Sequence, residues 1–141
     1  MATKRIFLDT NIVLDIIQSN RQNHQKALEL GQYLVLNDYE ILISEDMLTT
    51  VFYVSKNKKN TLLFLKEVVM TDWQIVAFGK NVIKEAIELS LQRSLDLEDV
   101  LQCLCAKENS CEAIITNDKK FCDCGIKILS IDEFLKPEKL L

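Results

Sequence analysis

Apolar positions along this chain switch between a continuous run and a helical spacing, and each switch predicts an element. The segment KRIFL (4–8) is short, apolar and bounded, the pattern of a strand covered on both faces. From Asn11 to Ile17 the residues Ile12, Val13, Leu14, Ile16 and Ile17 crowd one side at helical spacing, and HQKALELGQYLVL predicts a second helix with Ala27, Leu28, Leu30 and Leu34 inward. YEILIS (39–44) predicts the second strand, followed by helices through DMLTTVFYVSK and NTLLFLKEVVM. WQIVAF (73–78) predicts a third strand, and NVIKEAIELSLQ an amphipathic helix with Val82, Ile83, Ala86, Ile87 and Leu89 as its core stripe. A helix through LEDVLQCLCAKEN, strands EAIIT (112–116) and IKILS (126–130), and a closing helical turn IDEFLK complete the outline.

Strands alternating with helices require crossover connections, so the fold class is α/β with a mainly parallel sheet of about five strands covered on both faces. No repeat or linker interrupts it, and 141 residues suit a single domain spanning 1–141. With only 3 Gly and 1 Pro, the connections are expected to be short.

Composition narrows the function classes. The chain is 48% hydrophobic and 27% charged, an ordinary globular balance. No apolar run is long enough for a membrane span, and the start MATKRIFLDT lacks the apolar core of a signal peptide, so a cytoplasmic protein with no membrane association is expected. The 5 Cys are an odd number in a chain with its own core, which argues against a secreted disulfide framework. Cys103, Cys105, Cys111, Cys122 and Cys124 are expected to be small buried thiols; the C-x-C pair Cys122 and Cys124, with Cys111, lacks zinc-site spacing. The net charge of −4 gives no broad basic face for nucleic acid, so a nucleic-acid substrate would need its charge offset locally, as a divalent cation does.

The acidic residues give that idea a location. Asp9 follows the first strand, Asp118 follows the fourth in IITND, and Asp96, Glu98 and Asp99 start the helix before the fourth strand. Sites in open parallel sheets form beyond the carboxyl ends of the strands, where such residues can meet. Each alone has a structural explanation as a helix N-cap or a complement to a helix dipole. Together, carboxylates without basic partners would raise one another's pKa, and hard cations such as Mg²⁺ or Mn²⁺ relieve that repulsion with oxygen ligands. Such a site can orient a phosphodiester and activate water against it.

Four segments, FLDTNIVLD, LISEDMLTTVFYVSK, DLEDVLQCLCA and AIITNDKKF, resemble in order and spacing the PIN-domain family, the nuclease domain of VapC-type toxins and of RNA-processing proteins. The resemblance covers essentially the whole chain and implies a three-layer α/β/α sandwich. It also implies an RNA-cleaving hydrolase using Mg²⁺ or Mn²⁺ with water as nucleophile. Asp9, Asp99 and Asp118 are the implied metal-binding carboxylates, with Asn11 and Asn117 as polar neighbours. On a helix starting near Asp96, positions 96 and 99 share a face while Glu98 is offset, which favours Asp96 as the supporting ligand. Toxin membership implies a small antitoxin partner, and family members often pair as homodimers.

One position departs from the family pattern. Many members carry a Glu where Thr50 stands here, beside a neutral Thr49; Glu45 or Asp46 could compensate, or the site could have lost activity. Lys119 and Lys120 directly follow Asp118 and can touch phosphates, while Lys56, Lys58 and Lys59 form a second basic cluster; solvated surface is the alternative for both. His24, the only histidine, lies in a polar surface segment, which excludes a histidine-based nuclease or triad mechanism. Phe52, Tyr53 and Phe64 sit at helical spacing among apolar residues and are expected in the core or a subunit interface, with helices 46–70 as the dimer surface. A catalytically silent PIN scaffold that binds RNA or a protein is the competing reading. A haloacid-dehalogenase-type phosphotransferase is disfavoured because Asn11 stands where its second Asp would be.

Overall fold

The computed structural model describes residues 4–140. Its elements are β1 (Arg5–Leu8), α1 (Thr10–Ile17), α2 (His24–Leu36), β2 (Glu40–Ser44), α3 (Met47–Val54) and α4 (Lys58–Phe64). After α4 come a π-helical stretch (Leu65–Val69), α5 (Met70–Asp72), β3 (Gln74–Val76), α6 (Gly79–Arg93), α7 (Leu97–Glu108), β4 (Ala113–Ile115), β5 (Lys127–Leu129) and α8 (Ile131–Leu140). The five strands form one parallel sheet in the order β3-β2-β1-β4-β5.

β1 lies at the centre because it is apolar on both faces: successive residues point to opposite sides, and Ile6, Phe7 and Leu8 are all 0% exposed. Its partners are in register at Phe7 with Leu42 of β2 and Ile114 of β4, which are equally buried. Helix α2 packs on β2 and α8, α7 crosses β2 and β4, and α6 lies against α7. The chain winds outward from β1 through β2 to β3, then returns to lay down β4 and β5 on the other side. The reversal falls between β1 and β4, which is the switch point where open α/β sheets form crevices.

The expected order of strands and helices is present throughout, and the sheet is wholly parallel. Four details differ. β3 pairs only over Gln74–Val76 rather than 73–78, because Gly79 at φ +80 turns the chain into α6. α8 is a ten-residue helix instead of a closing turn. On α6, Val82 and Ala86 are buried, but Ile83 and Ile87 are 42% and 45% exposed; the helix buries a stripe narrower than its apolar pattern suggests. Finally, Cys103 and Cys124 are joined in a disulfide, with Cα atoms 6.1 Å apart, whereas Cys105, Cys111 and Cys122 are the expected buried thiols. A pairing across 21 residues depends on how α7 meets the loop before β5, which no spacing rule reports.

Candidate functional site

β1 extends one residue beyond its last apolar side chain. The Asp9 amide still bonds Ile115 O at 3.1 Å, as if in the ladder, and the chain then turns into α1 with Asp9 as its N-cap. Asp9 Oδ1 accepts from the Thr10 amide at 2.8 Å. Oδ2 accepts from the Thr116 hydroxyl at 2.9 Å. The cap therefore uses one oxygen and Thr116 the other, on a carboxylate that is only 7% exposed.

Burial raises the Asp9 pKa, and the charges of Asp118 and Asp15 push in the same direction; the bonds from Thr116 and Thr10 oppose them. Thr116 also joins two acidic positions, since its oxygen accepts from the Asp118 amide at 3.1 Å while its proton goes to Asp9. Asp118 sits on the exposed turn beyond β4, its Oδ1 accepting from the Lys120 amide at 2.9 Å.

Helix α7 brings the third group. Asp96 is its N-cap, with Oδ1 accepting from the Asp99 amide at 3.1 Å, and Glu98 and Asp99 occupy the first turn. Burial first, and then the charges of Asp96, Asp9, Asp118 and Glu98, push Asp99 up to about 6. Glu98 is raised by burial and by Asp46, Asp9 and Asp96. Asp46 itself is held by the Ser44 hydroxyl at the end of β2. Asp96 is thus fastened to its own helix as a cap, while Glu98, expected to be offset, feels both Asp9 and Asp46 and bonds the Thr10 hydroxyl.

Among the described residues the ion pairs are Arg5–Glu40, Arg21–Asp15 and Lys26–Asp132, so none neutralises Asp9, Glu98, Asp99 or Asp118. Also among the described residues, no three His, Cys, Asp or Glu side chains converge into a ready-made cage, as like charges keep their distance. An all-oxygen donor set with unbalanced negative charge suits a hard divalent cation and not a soft one.

Other candidates take structural roles. Asn117 Oδ1 accepts from the Ile131 amide at the start of α8, and Asn11 is exposed, its Oδ1 accepting from Arg21 at 3.4 Å. Thr50 is exposed on α3 and adds nothing to the acidic group. Lys58 donates to the carbonyls of Phe52, Tyr53 and Ser55, closing the end of α3. Lys119 and Lys120 remain exposed beside Asp118. His24 is half-buried, and its Nδ1 lies 2.8 Å from Asp15 O, so it is less of a surface residue than expected.

Two residues passed over in the sequence belong here. Thr116 was hidden as the last residue of an apolar strand. Gln102, 0% exposed, donates to Thr10 at 3.2 Å and to Glu98 at 3.4 Å, tying α7 to the start of α1. A lone amide inside LEDVLQCLCA, one helical turn after Glu98, was the available signal.

Thr116→Val tests this geometry. The isosteric change removes the proton given to Asp9, leaves the fold intact, and is expected to weaken Mn²⁺ binding about tenfold or more, as losing a partner of a ligand does. Calorimetric titration with Mn²⁺ checks it; unchanged affinity would mean that Thr116 does not orient Asp9.

Comparison with known proteins agrees with this architecture. The PIN-domain family model matches residues 6–127. Ribonuclease VapC1 of Aquifex aeolicus (strain VF5) is 39% identical over 138 residues, 95% of both chains. The fold is shared with VapC20 of Mycobacterium tuberculosis, described as a sarcin–ricin-loop-cleaving toxin: TM-score 0.69, 13% identity, 86% of this chain and 95% of that one. It is shared too with VapBC2 of Rickettsia felis, solved on a promoter DNA fragment (TM-score 0.66, 20% identity, 89% and 98%). A toxin–antitoxin complex from Klebsiella pneumoniae aligns with TM-score 0.67 and 20% identity over 89% of this chain and 97% of that one.

Proposed function

The chain belongs to the PIN-domain family, and from that premise we propose that it is a divalent-metal-dependent endoribonuclease, the toxin of a toxin–antitoxin pair. The observation that carries the reading is that Asp96, Asp9, Asp118 and Glu98 all act on the Asp99 carboxylate at the carboxyl edge of the sheet, with no basic side chain paired to Asp9, Glu98, Asp99 or Asp118 among the described residues. The similarity to a ribonuclease VapC1 over nearly the whole chain supports the same chemistry.

Asp9, Asp99 and Asp118 would hold Mg²⁺ or Mn²⁺, with Glu98 and Asp96 in support. When bound, the ion polarises a phosphodiester and lowers the pKa of the attacking water. The rest is done by the chain. Thr116 and the Thr10 amide fix the Asp9 carboxylate, and Gln102 and Thr10 hold Glu98. The ammonium groups of Lys119 and Lys120 meet phosphates flanking the scissile bond, positioning RNA without reading its sequence.

Two surfaces support the partners. Tyr53, Leu62, Leu63 and Met70 are 73%, 53%, 41% and 67% exposed within helices 46–70, the segment expected to carry a homodimer surface. A groove of about 400 Å³ between α2 and the π-helical stretch, edged by Val35 and Leu36, is an apolar seat for an antitoxin segment. No helix of the described residues is long and apolar enough to cross a membrane.

The pKa directions make this function pH-dependent. Raised carboxylates favour the protonated form in the folded protein, so their contribution to metal-free stability is present below about pH 4 and is lost as pH rises through about 6 for Asp99. Metal needs the deprotonated form. Mn²⁺ affinity should therefore drop steeply as pH falls through about 6, a titration checked by calorimetry at several pH values; a flat profile would remove Asp99 from the ligand set.

The direct test is incubation of single-stranded and hairpin RNAs with the purified protein in Mn²⁺, Mg²⁺ or EDTA, beside Asp99→Asn. Metal-dependent cleavage lost in the variant supports the enzyme. Mn²⁺ binding without cleavage of any RNA would favour the silent scaffold, to which the neutral, exposed Thr50 already points.

A further inference from the structure

The disulfide connects the two segments that carry the outer carboxylates. Cys103 lies on α7 one helical turn after Asp99, on the same face. Cys124 lies in the segment between β4 and β5 that begins with Thr116 and Asp118. From Asp118 to Gly125, the polar links among the described residues that leave this loop are few. Lys120 N and Phe121 N bond back to Asp118, and Gly125 N bonds Asp123. Beyond the disulfide, Lys107 donates to Cys124 O at 3.4 Å. Gly125 follows at φ +102, a conformation that favours glycine, and a β-carbon there would lie 3.3 Å from Lys107 Nζ.

We infer that Cys103–Cys124 is a reversible thiol–disulfide site that clamps the Asp118 loop onto the Asp99 helix, with a dithiol as its reductant and metal affinity as its output. Cys103 is 0% exposed and Cys124 half-buried, so the accessible sulfur is that of Cys124. A thiolate of the dithiol attacks Cys124 Sγ, the S–S bond breaks, and Cys103 leaves as a thiolate that takes a proton. The second thiol of the reductant then attacks the mixed disulfide and releases Cys124. Two electrons and two protons pass to the protein, and the reductant ends as its own disulfide. In the reduced state the loop keeps its internal turns, the bond from the Asp118 amide to Thr116 and one weak lysine bond, and the covalent tie that couples it to the Asp99 helix is gone. Cys122, a buried thiol in the same loop, is not part of the clamp.

The effect on metal affinity rests on the proposed nuclease site; the clamp does not. The experiment compares the full chain isolated without reductant, the same protein after dithiol treatment, a Cys103→Ser/Cys124→Ser double variant, and Cys122→Ser. Alkylation after denaturation with mass spectrometry counts thiols, hydrogen exchange follows amides 117–126, and Mn²⁺ affinity is measured by calorimetry. The clamp requires three thiols in the oxidised protein and five in the reduced. Reduction should speed exchange over 117–126 and weaken Mn²⁺ binding about tenfold, the cost of loosening a ligand's support. The double variant should match the reduced protein and ignore reductant, while Cys122→Ser should still respond. Five thiols without reductant, or exchange and affinity both unchanged on reduction, overturns the proposal and leaves at most a structural staple. Faster exchange with no Mn²⁺ binding in either state supports the clamp and counts instead against the metal-dependent nuclease.

Discussion

Asp9→Asn should slow metal-dependent RNA cleavage roughly a thousandfold, equivalent to about 4 kcal/mol of transition-state stabilisation, without loss of fold. The amide keeps the shape of the carboxylate; its oxygen still caps the Thr10 amide, while its NH2 group, in place of Oδ2, would donate to the Thr116 hydroxyl oxygen. What disappears is the charge at the centre of the acidic group. Since burial and neighbouring carboxylates already raise Asp9, removing its charge relieves repulsion, and the metal-free variant should melt no lower than the parent at neutral pH. Single-turnover cleavage with Mn²⁺ and a thermal melt in EDTA check both halves. Residual activity within tenfold of the parent would exclude Asp9 from the reacting centre; a lower melting temperature would mean that its charge is structurally favourable, against the direction of its shift.

The second large effect concerns stability. Asp15, on α1, is 5% exposed, and its partner is Arg21, whose Nε donates to Oδ1 at 2.6 Å. Among the described residues the Asp15 carboxylate accepts from Arg21 alone, so Arg21→Ala leaves a buried charge uncompensated. Breaking such a pair costs more than the pair itself contributes. With Arg21 29% exposed, water recovers part of the loss, and about 2 kcal/mol is expected. Urea unfolding at neutral pH measures it. The Asp15→Asn/Arg21→Ala double variant should recover much of the loss, and failure to do so would locate the damage in lost arginine packing instead.

How much of this was legible in the sequence depends on the range of the interaction. The central strand declared itself because Ile6, Phe7 and Leu8 have no polar neighbour to alternate with, and Asp9 stood out for ending such a run. The acidic group followed once the strands were ordered. Within it, helix spacing favoured Asp96 over Glu98, but the neighbours that act on each are not local: Asp96 Oδ1 accepts from Asp99 N, while Glu98 is raised by burial, Asp46 and Asp9. Thr116 and Gln102 were missed since their roles exist only across β1, β4, α1 and α7 at once. The exposure of Ile83 and Ile87 shows a related limit, as periodicity reports that a face is apolar but not whether this chain or another covers it. The Cys103–Cys124 bond is the extreme case, a contact with no local correlate.

The sheet's two outermost strands, β3 and β5, are each only three residues long. Such short rims offer too few free amides and carbonyls to template another chain, and the exposed Lys127 on β5 adds a charge that resists stacking. Growth of an aggregate strand by strand is therefore blocked at both borders. Protein partners are therefore expected on its helical faces and not as an extension of the sheet, which leaves their association under the control of side chains that can be tuned one at a time.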